Sequence, residues 1–199
     1  MKEEIRINEY RVGLSNECCN SIFTSQPKGS MWCWAASIEM VLKSYNINNL
    51  DQQFFVDLSI FNNVLYDCYL DCTNTFQNVA SLVNEKTVKD SNNFMRKIFA
   101  KAYKGLPNVY LLIEELKNEK PVILRCIQKG AIIGHAVVLT NIEYKVSILD
   151  NKPHISKIYV LDPATNKQAN LRGIEYSGED AGRMITDFLV IHIYIPEFY

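Results

Sequence analysis

Cys33 stands in the segment QPKGSMWCWAASIEM, where an irregular stretch holding Pro and Gly gives way to a helical pattern. The thiol therefore falls in the first turn of a predicted helix. Backbone N–H groups at a helix N-terminus lack intrahelical partners and favour negative charge, which pushes a thiol there toward thiolate. That is the placement of a nucleophile. The competing reading is a small apolar residue packed beneath Trp32 and Trp34, since free cysteine is among the most buried residue types.

A thiolate nucleophile needs a base or ion-pair partner, and the chain offers only His135, His154 and His192. His154 follows Pro153 in a polar stretch and reads as a solvated surface residue. His192 alternates with apolar neighbours in FLVIHIYI and reads as a satisfied sheet histidine. His135, in IIGHAVVLTNI, follows Gly134, which leaves room beside the ring at the mouth of a strand. Elimination and context favour His135.

The histidine in turn wants an acceptor that fixes its tautomer. Asp162 closes the strand KIYVLD and precedes Pro163, so it leaves a strand end where a neighbouring strand can bring His135. An Asp-Pro pair is also an ordinary turn starter, and Asn141, Asp150 and Asn166 are rival acceptors. Acyl transfer further requires donors aimed at the developing oxyanion. Gln26, seven residues before Cys33 on the irregular stretch, offers a side-chain amide beside the Cys33 backbone N–H; the alternative is a plain surface glutamine.

These residues need a scaffold, and the patterning suggests one. Trp34, Ile38, Val41 and Tyr45 recur at helical spacing after Cys33. Further helices are expected over 52–61 and 76–84. Val109, Leu112, Ile113 and Leu116 mark another, which Pro121 keeps from continuing. Beyond Pro121 the character changes: VILRCI, IIGHAVVLTNI, KIYVLD and DFLVIHIYI are β-branched or aromatic runs that read as strands, and the gap after the second has room for a short hairpin. Ile5 and Ile7 suggest a short edge strand, and 15–32 reads as irregular surface. Helices in the first half and strands in the second predict an α+β fold, a helical lobe on a mostly antiparallel sheet, with a cleft between them as the place for a site.

Composition narrows the partners. With 199 residues, 48% hydrophobic and 22% charged, the chain can bury one core. Lys+Arg 21 against Asp+Glu 22 leaves a net charge of -1, which provides no basic field for nucleic acid. No run reaches the roughly 18 apolar residues of a membrane span. The charged start MKEEIRINEY has no apolar signal-peptide core, so the expected location is the cytoplasm, or export by a route without such a signal. Of the six cysteines, Cys18, Cys19, Cys68 and Cys72 invite a zinc site, but adjacent cysteines are poor tetrahedral partners. Free thiols are the default, a disulfide joining the two clusters the alternative, and Cys126 in VILRCI reads as a core residue. No cofactor or metal is expected.

Taken together, Gln26, the helix start Cys33-Trp34-Ala35, the run GHAVVL from Gly134 to Leu139 and the strand ending Asp162-Pro163 resemble the papain-like cysteine peptidases. More narrowly they are similar to the compact bacterial group that includes bacteriocin-leader peptidases and secreted effector proteases. The resemblance spans roughly residues 26–163. It implies Cys33 as nucleophile, His135 as base and acid, Asp162 as orienter and Gln26 as oxyanion donor. Asp in third place follows the leader peptidases, where papain-type enzymes usually have Asn, and Trp32 replaces a small or acidic residue.

The implied architecture is a single papain-like domain with an N-terminal extension over 1–25, a helical lobe over 26–119 and a sheet lobe over 120–199. The implied substrate is a peptide or protein, with loops 62–78 and 143–156 shaping specificity. The same residues also serve acyl transfer to an amine or thiol, and a non-catalytic binding module is the third reading.

Overall fold

The computed structural model describes residues 8–62, 75–128, 134–147, 149–165, 172–174, 179–180 and 183–196. The first half of the chain supplies β1 (Asn8–Gly13), α1 (Asn16–Ile22), α2 (Cys33–Ser44), α3 (Gln52–Phe61), α4 (Thr75–Val83), β2 (Thr87–Lys89) and β3 (Met95–Lys104). There follow α5 (Val109–Lys117), β4 (Val122–Gln128), β5 (Gly134–Val146), β6 (Pro153–Leu161), β7 (Arg172–Ile174), β8 (Glu179–Asp180) and β9 (Arg183–Tyr194). The class is α+β, as expected.

Side-chain caps explain where three helices begin. Ser15 accepts from the Cys18 N–H ahead of α1, Asp51 from Phe54 ahead of α3, and Asn108 from Tyr110 ahead of α5. Helix α2 has no such cap: Trp32 occupies the position and its side chain makes no capping bond. Every residue of α2 from Cys33 to Leu42 is buried. A helix apolar on nearly all sides belongs inside the molecule, and α2 packs against β5, with α1 and α3 beside it. Ile38, Met40 and Leu42 are fully enclosed, so truncating one of them to Ala should cost about 2–5 kcal/mol.

All strand pairings among the described residues are antiparallel, in the order β2-β3-β9-β4-β5-β6-β7, with β1 also on β5 and β8 also on β9. Strand β5 is the spine. On one edge it pairs first with β4, over Gly134 to Leu139, and then with β1, over Asn141 to Val146. On the other edge β6 pairs only from Val138 onward, because β6 ends at Leu161 opposite Val138. The head of β5, residues 134–137, therefore runs past the end of β6 with that edge open.

Several expectations are corrected. Residues 16–22, read as irregular surface, form α1, which buries Cys19 and Ile22. Its polar-looking sequence NECCNSI hides a two-residue inner face. The separation of helices and strands along the chain is also less sharp than the periodicity suggests, since β2 and β3 lie before α5 and the stretch 8–13 within 1–25 forms β1 on β5. Ile5, Ile7, Cys68 and Cys72 lie outside the described residues, so the expected edge strand at Ile5 and the cluster pairing of cysteines do too. The hairpin expected after IIGHAVVLTNI is the outer end of β5 and β6, where Tyr144 pairs with Ile155 and Val146 with Pro153. No helix among the described residues is long and apolar enough to cross a membrane.

Candidate active site

The uncapped N-terminus of α2 docks where β6 leaves β5 bare. Cys33 is the first residue of α2 and 8% exposed, and the backbone N–H of Ala136 donates to its Sγ at 3.4 Å. That N–H is available because β6 stops short of it. Strand ending and helix start thus bring together residues 103 apart in sequence.

His135 precedes Ala136, and its side chain is 23% exposed. Its Nε2–H donates to Asp162 Oδ1 at 2.6 Å, which leaves Nδ1 as the ring nitrogen free to face a thiol. Burial by itself would lower the affinity of His135 for a proton. The hydrogen bond to Asp162, the interaction with Cys33 and the negative charge of both overcome it, and the pKa is pushed up to about 9. A protonated imidazole with a sulfur on one side and a carboxylate on the other is the result at neutral pH.

Asp162 follows the last residue of β6 and fulfils both readings the sequence allowed. Its Oδ1 accepts from the Ala164 N–H at 2.9 Å, and its carbonyl accepts from Thr165 N–H and Oγ1. The Asp-Pro turn is therefore real, and the same carboxylate oxygen meets His135. Of the rivals, Asn141 is buried and donates through Nδ2 to the Leu14 carbonyl, tying β1 to β5. Asp150 sits on the exposed hairpin end beside His154, and Asn166 lies outside the described residues. His154 is exposed, and His192 is held by Glu115 at 2.9 Å, so both fit the roles read for them.

Gln26 is joined to this group by its backbone. Its N–H donates to the Pro163 carbonyl at 2.8 Å, one residue from Asp162. Its Nε2 donates to the Ser30 carbonyl at 2.7 Å, which uses one of the two amide hydrogens and leaves the other. The Oε1 is buried with no hydrogen-bond partner among the described residues. The segment turns at Pro27 to Ser30, where Gly29 takes a φ of 78°, a left-handed conformation that glycine adopts at no steric cost.

Two supporting features are not evident in the sequence. Arg125, in the middle of buried β4, reaches across Gly134: a Cβ at Gly134 would lie 2.6 Å from its Nε. The guanidinium is paired with Asp187 of β9 at 2.7 Å. Gly134 is thus small because a buried arginine crosses the head of the strand that carries His135. The second feature is the Ala136 N–H itself, a backbone donor that depends on where β6 ends. The thiols of Cys18 and Cys19, on α1, differ from Cys33 in setting: burial pushes both up, as in inert structural cysteines.

A family model described as "Peptidase_C39 like family" matches residues 20–177. That span holds α2, the head of β5, Asp162 and Gln26. No curated protein matches the chain.

Proposed function

The chain belongs to the Peptidase_C39 like family, which points to a cysteine peptidase with a peptide or protein substrate, and on that premise we propose that Cys33 is its nucleophile, within a single papain-like domain. The observation that carries this reading is the alignment of Asp162, His135 and Cys33, with His135 held by the carboxylate on one side and facing the sulfur on the other.

Cys33 Sγ, as thiolate, attacks the substrate carbonyl carbon, and the carbonyl oxygen becomes an oxyanion. The backbone N–H groups at the uncapped start of α2, with the second amide hydrogen of Gln26, stabilise that charge. The imidazolium of His135 gives its Nδ1 proton to the leaving amine as the C–N bond breaks, and a thioester on Cys33 remains. Neutral His135 then takes a proton from water, whose oxygen attacks the thioester, and the collapsing intermediate expels the thiolate. Asp162 holds one tautomer throughout and stabilises the imidazolium.

The test is digestion of a peptide mixture in H₂¹⁸O. Hydrolysis gives new C-termini carrying ¹⁸O, lost in Cys33→Ala. Products that form only with an added amine or thiol, and without ¹⁸O, would make the enzyme an acyl transferase.

A further inference from the structure

Glu39 lies on α2, six positions after Cys33, and is 6% exposed. A carboxylate is rarely buried to that degree unless its charge and lone pairs are satisfied. Its Oε1 accepts from Lys43 Nζ at 2.7 Å and from Thr24 Oγ1 at 3.1 Å, and its Oε2 accepts from the Gln52 backbone N–H at 2.8 Å. The donors come from three places: the next turn of α2, the irregular stretch before it, and the first turn of α3.

The bonds continue toward Gln26. Lys43 Nζ also donates to Thr24 Oγ1 at 2.7 Å, and Gln52 Nε2 donates to the Ser25 carbonyl at 3.0 Å. Gln26 N–H is then held by Pro163. Residues 24, 25 and 26 are therefore each held by long-range bonds, two at Thr24 and one each at Ser25 and Gln26, in a stretch with no helix or strand to fix it. Those at Thr24 and Ser25 trace back to Glu39, directly through Thr24 or through Gln52 at the start of α3.

We propose that Glu39 is a positioning residue for the oxyanion donor: its buried carboxylate locks residues 24–26 to α2 and so sets Gln26 relative to Cys33 on the same helix. The inference rests on the reading of Gln26 as that donor. Displacement of a positioned catalytic group by about 1 Å costs about 10²-fold in rate, so a loop-borne donor needs such an anchor. The network does not touch Cys33, His135 or Asp162. Its loss should therefore damage the step that builds an oxyanion and spare the reactivity of the thiol.

The test compares wild type with Glu39→Ala, Glu39→Gln, Thr24→Val and Gln26→Ala in the full chain. Three quantities are read: kcat and KM on a cleaved peptide, the affinity of the corresponding peptide aldehyde, whose adduct carries an oxyanion, and the rate of Cys33 alkylation by iodoacetamide, which forms none. Gln26→Ala should lower kcat about 10²-fold, the usual effect of deleting an oxyanion donor. Glu39→Ala should lower kcat at least about tenfold with KM within about twofold, weaken the aldehyde in parallel, and leave alkylation within about twofold. Glu39→Gln keeps an acceptor for Gln52 and should fall between wild type and Glu39→Ala. Thr24→Val, nearly equal in volume, should repeat the pattern in milder form.

Equal kcat in wild type, Glu39→Ala and Thr24→Val would overturn the proposal. So would a loss of alkylation in step with hydrolysis, which would make Glu39 a support of the fold. If Glu39→Ala does not fold, Glu39→Gln and Thr24→Val decide by the same criteria. Unchanged kcat in Gln26→Ala would overturn the reading of Gln26 itself, and the proposal with it.

Discussion

His135 Nε2 and Asp162 Oδ1, on residues 27 apart in sequence, are 2.6 Å apart. The contact exists because β6 ends one residue before Asp162 and opposite Val138, which puts the carboxylate beside the uncovered head of β5. With Cys33 on its other side, His135 is held protonated up to about pH 9.

A pH profile follows from that value. In the proposed mechanism the leaving amine takes its proton from imidazolium, so kcat/KM should fall as pH rises through about 9. Asp162→Asn removes a hydrogen-bonding charge that raises the His135 pKa, and the alkaline limb should move to lower pH. An alkaline limb at the same pH in both proteins would contradict the assignment of Asp162.

Stability carries the same signature with a defined sign. The folded pKa of His135 lies above its ordinary value near 6.5, so its stabilising contribution is complete below about pH 6.5 and is lost as pH rises through about 9. The difference in urea midpoint between wild type and His135→Gln should therefore shrink between pH 6 and pH 10. A constant difference would show that the folded and unfolded states bind this proton equally well.

The helices and strands that frame the site are largely legible from sequence. Trp34, Ile38 and Val41 betray α2, and the β-branched runs betray β4, β5, β6 and β9. What periodicity hides is instructive. Strand β3 has lysines at 97, 101 and 104 and buries only Ile98 and Ala100 fully, so its inner face leaves a weak pattern. Helix α1 buries two residues, and its Ser15 cap resembles any polar loop residue.

Within the candidate site, Cys33, His135 and Asp162 are legible because each has a residue type and a local setting suited to one task of the proposed mechanism. Glu39 and Arg125 are not, because their partners, Thr24 and Gln52 for one and Asp187 for the other, are set by tertiary packing. The Ala136 N–H leaves no trace in residue type at all, since it depends only on strand length.

Gly134→Ala probes the crossing of Arg125 over the His135 strand. The new Cβ would sit 2.6 Å from Arg125 Nε, and that side chain is buried and tied to Asp187, so it cannot swing aside. The expected cost is about 1–3 kcal/mol of stability, with a loss of kcat as the head of β5 shifts. Thermal unfolding and peptide hydrolysis measured together check it, and wild-type values in both would refute the steric argument.

The Arg125–Asp187 pair should be costly to break from one side and cheap to replace as a whole. Asp187→Ala leaves a buried guanidinium without its carboxylate and should cost about 3–5 kcal/mol. The double variant Arg125→Met, Asp187→Leu should recover most of that loss in a denaturant titration. A double variant no more stable than Asp187→Ala would show that the pair is not isolated from further polar partners.

The central claim, that His135 activates Cys33, is tested most directly by the intact mass of the protein after brief exposure to an epoxide inhibitor of cysteine peptidases. Wild type should gain one adduct, mapped to Cys33, and Cys33→Ala and His135→Ala should gain none in the same time. Slow labelling spread over several cysteines, or a Cys33 adduct formed equally fast in His135→Ala, would contradict it.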